Sequence, residues 1–375
     1  MNRRHFMMAG LAAGAASAVR PSFGQSANSK LNTGFIGVGN RGGYVMKSVK
    51  DLPGVQITAL CDIKPDRLDA AATVAASHQP KTYTDWRELL IQPDLDVVFI
   101  ATPCDLHVPM ALTAMDARKH IYCEKPAGIK AGEIGWLYRA GQGYDKTFCV
   151  GQQMRSMATL QKAISWVHEG NLGEVVMVTA QRHASADLDN DGPSADWFFY
   201  NWRSGDVLVE MSVHNLDVCN WAINNYPSRA AGFGGNLLYK DTPPGRNTMD
   251  GYSLSYEYPN GVKLNYIQTF FHPSKMPAGS QLVNVYGEKG AVELLSGIFY
   301  PSDRNAQPVK LTEGIKNDDV AHQKRFYEAI RTGSKSPAGF DVACSGALTA
   351  IMGREAIYQK RVTTWAEMNV DIAKP

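Results

Sequence analysis

The twelve residues LNTGFIGVGNRG, numbers 31–42, decide the fold. A short apolar run stops at glycines, and Gly37-Val38-Gly39-Asn40-Arg41-Gly42 has the spacing G-x-G-x-x-G. Each glycine has a task where a strand hands over to a helix around a pyrophosphate. Gly37 makes the tight turn, Gly39 lets the main chain approach the phosphates, and Gly42 permits close strand–helix packing. The helix N-terminus then faces the anion. Glycine-rich loops are common, so the assignment rests on the segments that flank this one.

Residues 41–50 read as a helix, and VQITALCD (55–62) as a second strand ending in an acid. Asp62 lies about twenty residues beyond the glycines, where a carboxylate takes the adenosine ribose hydroxyls. It would repel a 2′-phosphate, so NAD is favoured over NADP, although Lys64 and Arg67 nearby keep NADP open. The alternation continues with a helix over 63–77, a buried strand DVVFIATP (96–103), a helix over 108–119 and the strand HIYCEKP (120–126). A helix over 131–141 and TFCVGQQ (147–153) come next. This βαβ order predicts a parallel sheet covered on both faces, with ligands beyond the carboxyl ends of its strands. Thr102 and Pro103, and Glu124 and Lys125, fall at such ends. With Gly37, Gly39, Asn40, Arg41, Gly42 and Asp62 they are the predicted cofactor contacts.

The bulk numbers agree. A chain of 375 residues predicts two domains, and 44% hydrophobic with 20% charged residues describes a globular protein. A formal net charge of +2 carries no nucleic-acid or membrane signal. Asn2-Arg3-Arg4-His5-Phe6-Met7 is a twin-arginine pattern followed by an Ala- and Gly-rich apolar run too short to span a bilayer. It predicts a Tat export signal and linker over 1–30, with cleavage near Ala18 or after Gly24, and hence a periplasmic or extracytoplasmic location. The six cysteines form no CxxC pair. They read as buried thiols, compatible with export because the Tat machinery carries folded proteins. No metal is expected, since His183 and His272 lack ligand spacing.

In the second half, a helix over 206–223 puts Glu210, His214 and Asp217 at i, i+4 and i+7, on one face. Such clusters are often plain ion pairs; beside a nucleotide fold they become catalytic candidates. The aromatic segment before it offers Trp197, Phe198, Tyr200 and Trp202 to a sugar's apolar face, with Arg203 and Asp196 for hydroxyls. Sealing an interdomain core is the competing role for these rings. Arg155, after the last strand of the first half, is a further substrate candidate, weighed against an ion-pair role. Residues 173–183, 251–259, 262–272 and 280–294 alternate like strands, with turn signals at Asn260-Gly261 and Lys289-Gly290. Residues 318–333 and 342–360 read as helices.

Taken together, the chain resembles the Gfo/Idh/MocA oxidoreductases. The resemblance is carried by the glycine motif, by Ala101-Thr102-Pro103 with His107, by Glu124-Lys125-Pro126, and by the helix GDVLVEMSVHNLDVCNW (205–221). It departs at one place: the family has Asp four residues before its His, and this chain has Glu210. The resemblance covers the chain from about residue 31 onward. It implies an α/β plus α+β protein: a Rossmann domain over 31–152, a substrate and oligomerisation domain with an open, mostly antiparallel sheet over 153–345, and a C-terminal helix and tail over 346–375. It also adds His107 to the cofactor contacts, brings Lys125 and His214 together at the nicotinamide, and implies a homo-oligomer, dimer or tetramer.

Oxidising a secondary alcohol removes a hydride and a proton. His214 is assigned the proton, because an imidazole suits that step near neutral pH. Lys125 would stabilise alkoxide character on the same oxygen. Glu210 or Asp217 would orient the imidazole and favour its charged form. Arg155, Trp202 and Arg203 complete the substrate contacts. Export implies a cofactor that stays bound. The favoured reading is therefore a sugar oxidoreductase with captive NAD. A redox glycosidase is the alternative, and a non-catalytic nucleotide or sugar sensor is the alternative of another class.

Overall fold

The structure is a computed structural model that describes residues 30–185, 197–273, 275–276 and 279–372. The twin-arginine segment and Asp196 lie outside the described residues.

Six parallel strands form the first sheet: β1 (Leu31–Ile36), β2 (Val55–Cys61), β3 (Lys81–Tyr83), β4 (Val97–Ile100), β5 (His120–Cys123) and β6 (Phe148–Val150). Their order is β3-β2-β1-β4-β5-β6, the doubly wound arrangement whose order reverses between β1 and β4. The connecting helices are α1 (Asn40–Val49), α2 (Pro65–Val74), α3 (Trp86–Leu90), α4 (His107–Asp116) and α5 (Ala131–Gly141). All four residues of β4 are buried. An unbroken apolar strand of this kind needs cover on both faces.

After α6 (Ala158–His168) the chain enters a nine-stranded sheet. Its strands are β7 (Val175–Arg182), β8 (Arg229–Gly235), β9 (Gly251–Glu257), β10 (Lys263–Thr269), β11 (Gln281–Gly287), β12 (Gly290–Glu293), β13 (Ile298–Pro301), β14 (Val309–Lys310) and β15 (Thr363–Thr364). The order is β14-β13-β12-β11-β7-β10-β9-β8-β15. Only the β7–β10 pair is parallel among those described. The strict burial alternation of β10 shows one covered and one open face. Between β7 and β8 lie the short α7 (Asn201–Ser204) and the long α8 (Val207–Ile223); α9 (Ala321–Thr332) and α10 (Phe340–Tyr358) lie between β14 and β15.

α8 is buried on nearly every side because the sheet lies on one flank and α10 on another. Its polar residues therefore need internal partners. Ser212 donates to Gln268, Asn220 donates to Thr349 at 2.9 Å, and the Tyr258 hydroxyl donates to Asn220 at 2.7 Å.

The short β3, α3, β13, β14 and β15 were not expected from the sequence, and two larger features also depart from the expected layout. The glycine-rich β8 pairs along its whole length with β9, although its sequence RAAGFGG carries no strand periodicity. α9, inside the segment expected to form the second domain, packs on the first sheet. Phe326 meets Phe99 edge-on at 5.8 Å, and the Tyr327 hydroxyl lies 3.0 Å from Thr33 Oγ1.

Gly353 of α10 faces β9 of the second sheet. A Cβ there would stand 2.0 Å from the Tyr256 hydroxyl, itself buried without a partner. Gly353→Ala should therefore cost about 1–3 kcal/mol through overpacking. A thermal melt followed by circular dichroism measures it. Adding Tyr256→Phe should recover part of the loss, because it removes the obstructing oxygen.

Candidate active site

The glycine turn is built on contact between the two loops at the reversal of strand order. Gly37 has φ +82°, and a Cβ there would lie 2.6 Å from the carbonyl oxygen of Ala101, after β4. A Cβ on Gly42 would lie 1.9 Å from the Gly37 oxygen. α1 starts at Asn40 with no side-chain cap on its first amides, which leaves those donors without a side-chain acceptor. Asp62, buried at the end of β2, accepts from the amides of Val38 at 2.9 Å and Lys64 at 3.0 Å. Those amides fix both carboxylate oxygens at the rim, each with a lone pair left for a hydroxyl. These residues fit a dinucleotide.

The cleft beyond them has a volume of about 350 Å³. Gly37, Gly39, Asn40, Arg41, Asp62, Thr102, Pro103, His107, Glu124 and Lys125 line it from the first domain. Gly42 sits behind the turn, where its missing side chain matters. Arg41 donates to Glu124 at 2.7 Å. The His107 ring lies with Nδ1 2.6 Å from the Pro126 oxygen and Nε2 2.9 Å from the Thr102 oxygen. It thus ties two strand-end loops together. Burial lowers its pKa, and the two carbonyls oppose that shift. The Lys125–Pro126 peptide is cis.

The second domain closes the cleft with Glu210, Arg203, Trp197 and Phe198. Lys125 Nζ donates to the main-chain oxygen of Glu210 at 2.9 Å and also to its carboxylate. In a helix that carbonyl also faces the amide four residues on, here His214. The lysine is thus docked one turn from the imidazole, and one of its three N–H groups remains for a substrate oxygen.

His214 is 5% exposed, and its Nδ1 has no hydrogen-bond partner. Burial pushes its pKa well below the ordinary imidazole value, and the charges of Lys125 and then Arg182 push the same way. This corrects the expected role of the acids. Glu210 is spent on Lys125, and Asp217 on Arg155, so neither orients the imidazole, and its surroundings disfavour rather than favour the charged form. Arg155 donates to both oxygens of Asp217 at 2.9 and 2.8 Å, the pair being 8% and 1% exposed, with the Trp221 ring 4.9 Å from the guanidinium. Its fork is therefore occupied, which corrects its reading as a substrate contact.

Trp202 is also displaced from its expected place. It is 59% exposed, outside the cleft lining, with its ring beside Tyr200 and Arg203. Trp197 and Phe198 line the cleft instead. Arg203 pairs with Asp105 across the domain boundary at 3.4 Å. Asp105 was not singled out in the sequence, where it is one acid among many on a loop.

A further residue missed by sequence reasoning sits at the head of α8. Asp206 is fully buried at φ +82° and ψ 155°, a region that glycine normally occupies. Its carboxylate caps the Leu208 amide and accepts from the Met249 amide and the hydroxyls of Tyr252 and Tyr358. It fixes how α8 begins, one turn before Glu210. All six cysteines are buried and unpaired. Among the described residues no group of side chains is arranged to hold a metal, and no helix is long and apolar enough to cross a membrane.

Comparison with known proteins agrees with this architecture. Residues 31–152 match a family model described as an oxidoreductase family with an NAD-binding Rossmann fold, and residues 160–293 match the GFO/IDH/MocA C-terminal domain. The two stretches together span more than half of the chain. An uncharacterized oxidoreductase, YrbE, of Bacillus subtilis (strain 168) is 26% identical over 324 residues, 82% of this chain and 89% of the relative. A glycosyl hydrolase family 109 protein of Saccharopolyspora erythraea is 35% identical over 178 residues, 44% of this chain; the match spans 39% of that relative. The fold is shared with levoglucosan dehydrogenase in complex with NADH, at a TM-score of 0.77 and 19% identity, covering 90% of this chain and 99% of that one.

Proposed function

The chain belongs to the Gfo/Idh/MocA family of oxidoreductases, and from that premise we propose that it oxidises a CH–OH group of a carbohydrate or sugar derivative. The first domain is the NAD-binding unit, and the bound nicotinamide supplies the hydride acceptor. The observation that carries the reading is the docking of Lys125, from the end of β5, on Glu210 one turn before His214. An ammonium group on the cleft wall then lies one helical turn from the buried imidazole. His214 takes the hydroxyl proton, and Lys125 stabilises the oxygen as negative charge grows. Trp197 and Phe198 offer apolar faces to the ring. The proposal includes export through the twin-arginine segment, assembly into a homo-oligomer and a cofactor retained through turnover.

The test is absorbance at 340 nm after sugars are added to the purified protein. A rise limited to one equivalent of bound cofactor is expected. Absence of any change across a broad panel of sugars, with cofactor present, would remove the dehydrogenase reading. A second reading is favoured by the family 109 relative: a glycosidase in which no net redox change remains. It predicts aglycone release with a flat 340 nm signal.

The pH dependence is set by the direction of the His214 shift. A pKa well below 6.5 leaves the imidazole unprotonated, and so competent as a base, at neutral pH. The acid limb of the kcat/KM profile should therefore lie below 6.5. Lys125→Met removes a cation that opposes protonation, so the His214 pKa should rise. An NMR titration of the imidazole measures this, and a value unchanged by the substitution would rule out the coupling.

A further inference from the structure

The cations around the candidate site are not treated alike. Arg41 is paired with Glu124, Lys125 with Glu210, Arg155 with Asp217 and Arg203 with Asp105. Arg182, the last residue of β7, has no carboxylate partner among the described residues. Along β7, Val178, Ala180 and Arg182 share one face by the period of two. That face meets α8, since Arg182 Nη1 donates to Asn215 Oδ1 at 3.3 Å. Asn215 Nδ2 donates to the main-chain oxygen of Gln181 at 3.3 Å. The amide is thereby held with its oxygen turned to the guanidinium.

Three buried polar atoms near this point lack partners: Arg182 Nε, His214 Nδ1 and Gln152 Oε1. Gln152 reaches α8 through its Nε2, which donates to the Val213 oxygen at 3.4 Å. The orphans come from three separate elements and converge on residues 213–215. Native interiors seldom leave such atoms unsatisfied except where a ligand or water completes them.

We propose that Arg182 is a specificity-determining residue whose Nε/Nη2 edge receives a carboxylate carried by the substrate, making sugar acids such as uronates the preferred class over neutral sugars. The inference rests on the carbohydrate reading above and names the substrate class of that same site. Asn215 occupies the Nη1 side of the guanidinium. The remaining edge presents two parallel N–H donors, a geometry that matches a carboxylate. A hydroxyl would satisfy one N–H and leave the charge uncompensated, whereas a carboxylate satisfies both and cancels the charge.

The test compares D-glucuronate with D-glucose, and D-galacturonate with D-galactose, on the full chain with its bound cofactor. The kcat/KM ratio, acid over neutral parent, should be about 100 for at least one pair, the scale of a charge-assisted hydrogen-bonded contact. Arg182→Gln should collapse that ratio toward one. Arg182→Lys keeps the charge, loses the fork, and should give an intermediate ratio; it serves alone if the Gln variant fails to fold. A wild-type ratio near one for both pairs, or a ratio that neither substitution changes, overturns the proposal. If none of the four sugars is oxidised, the oxidation reading fails there, and calorimetric binding decides Arg182 separately. Uronate binding by wild type that weakens in the Lys variant sustains the carboxylate site, and no uronate binding by wild type ends it.

Discussion

Lys125→Ala and His214→Ala are each expected to slow hydride transfer by about 10²–10⁴-fold, the range for a positioned acid–base group, while the cofactor stays bound. The second half of that expectation comes from where the residues sit. The glycine turn, the amides of α1 and Asp62 occupy the far end of the cleft and do not depend on either side chain. Single-turnover absorbance at 340 nm, with bound cofactor quantified after gel filtration, separates chemistry from retention. The lysine substitution has a complication that can be removed. Its ion pair with Glu210 leaves both side chains only 14% exposed, so deleting the cation strands a carboxylate. Lys125→Ala combined with Glu210→Gln tests this. If the lysine acts on the substrate oxygen, the double variant stays as slow as the single one. Recovery of the rate would mean that the lysine merely neutralises Glu210, and the assignment would fall. Normal turnover by both single variants would remove the site altogether.

Asp217→Ala is expected to cost about 3–5 kcal/mol, because it leaves the Arg155 guanidinium buried without its counter-charge. That is a large fraction of the roughly 5–15 kcal/mol typical of a folded domain. Denaturant unfolding should show a lower midpoint, read with the m-value to check that a single transition persists. The paired replacement Arg155→Met with Asp217→Leu removes both charges and keeps an apolar filling. It should lie much closer to the wild type than either single charge deletion. A loss below about 1 kcal/mol in Asp217→Ala, the level of an exposed pair, would show that solvent reaches the guanidinium.

Those two sites differ in how far a sequence reveals them. Five of the six strands of the first sheet were legible because their signals are local, whereas the three-residue β3 at its edge was not. The G-x-G-x-x-G spacing, the strand ending in Asp62 and the apolar run of β4 each announce themselves within ten residues. The helix face carrying Glu210, His214 and Asp217 was legible for the same reason, through its periodicity. Partner choice was not. Glu210 stands at helical spacing from His214, yet its carboxylate goes to Lys125, 85 residues away, and Asp217 goes to Arg155, 62 residues away. Tertiary packing decides between such partners, and no local pattern records it. β8 escaped notice because three of its seven residues are glycine and its stability comes from its ladder with β9. Trp202 was drawn toward the substrate by its neighbours in the chain, whereas the turn into α7 points it outward. Arg182 offered no signal at all, since a buried donor without an acceptor exists only in three dimensions.

The placement of α9 reaches beyond the finished molecule. Phe99 and Tyr122, central in the first sheet, are covered by Phe326, which is synthesised more than two hundred residues later. During translation the nascent amino-terminal half therefore emerges with an uncovered aromatic flank and waits for nearly the whole polypeptide to leave the ribosome. Any chaperone engaged by this protein would find its sticky surface there, and shortened chains ending before residue 321 should aggregate rather than accumulate as a free nucleotide-binding fragment.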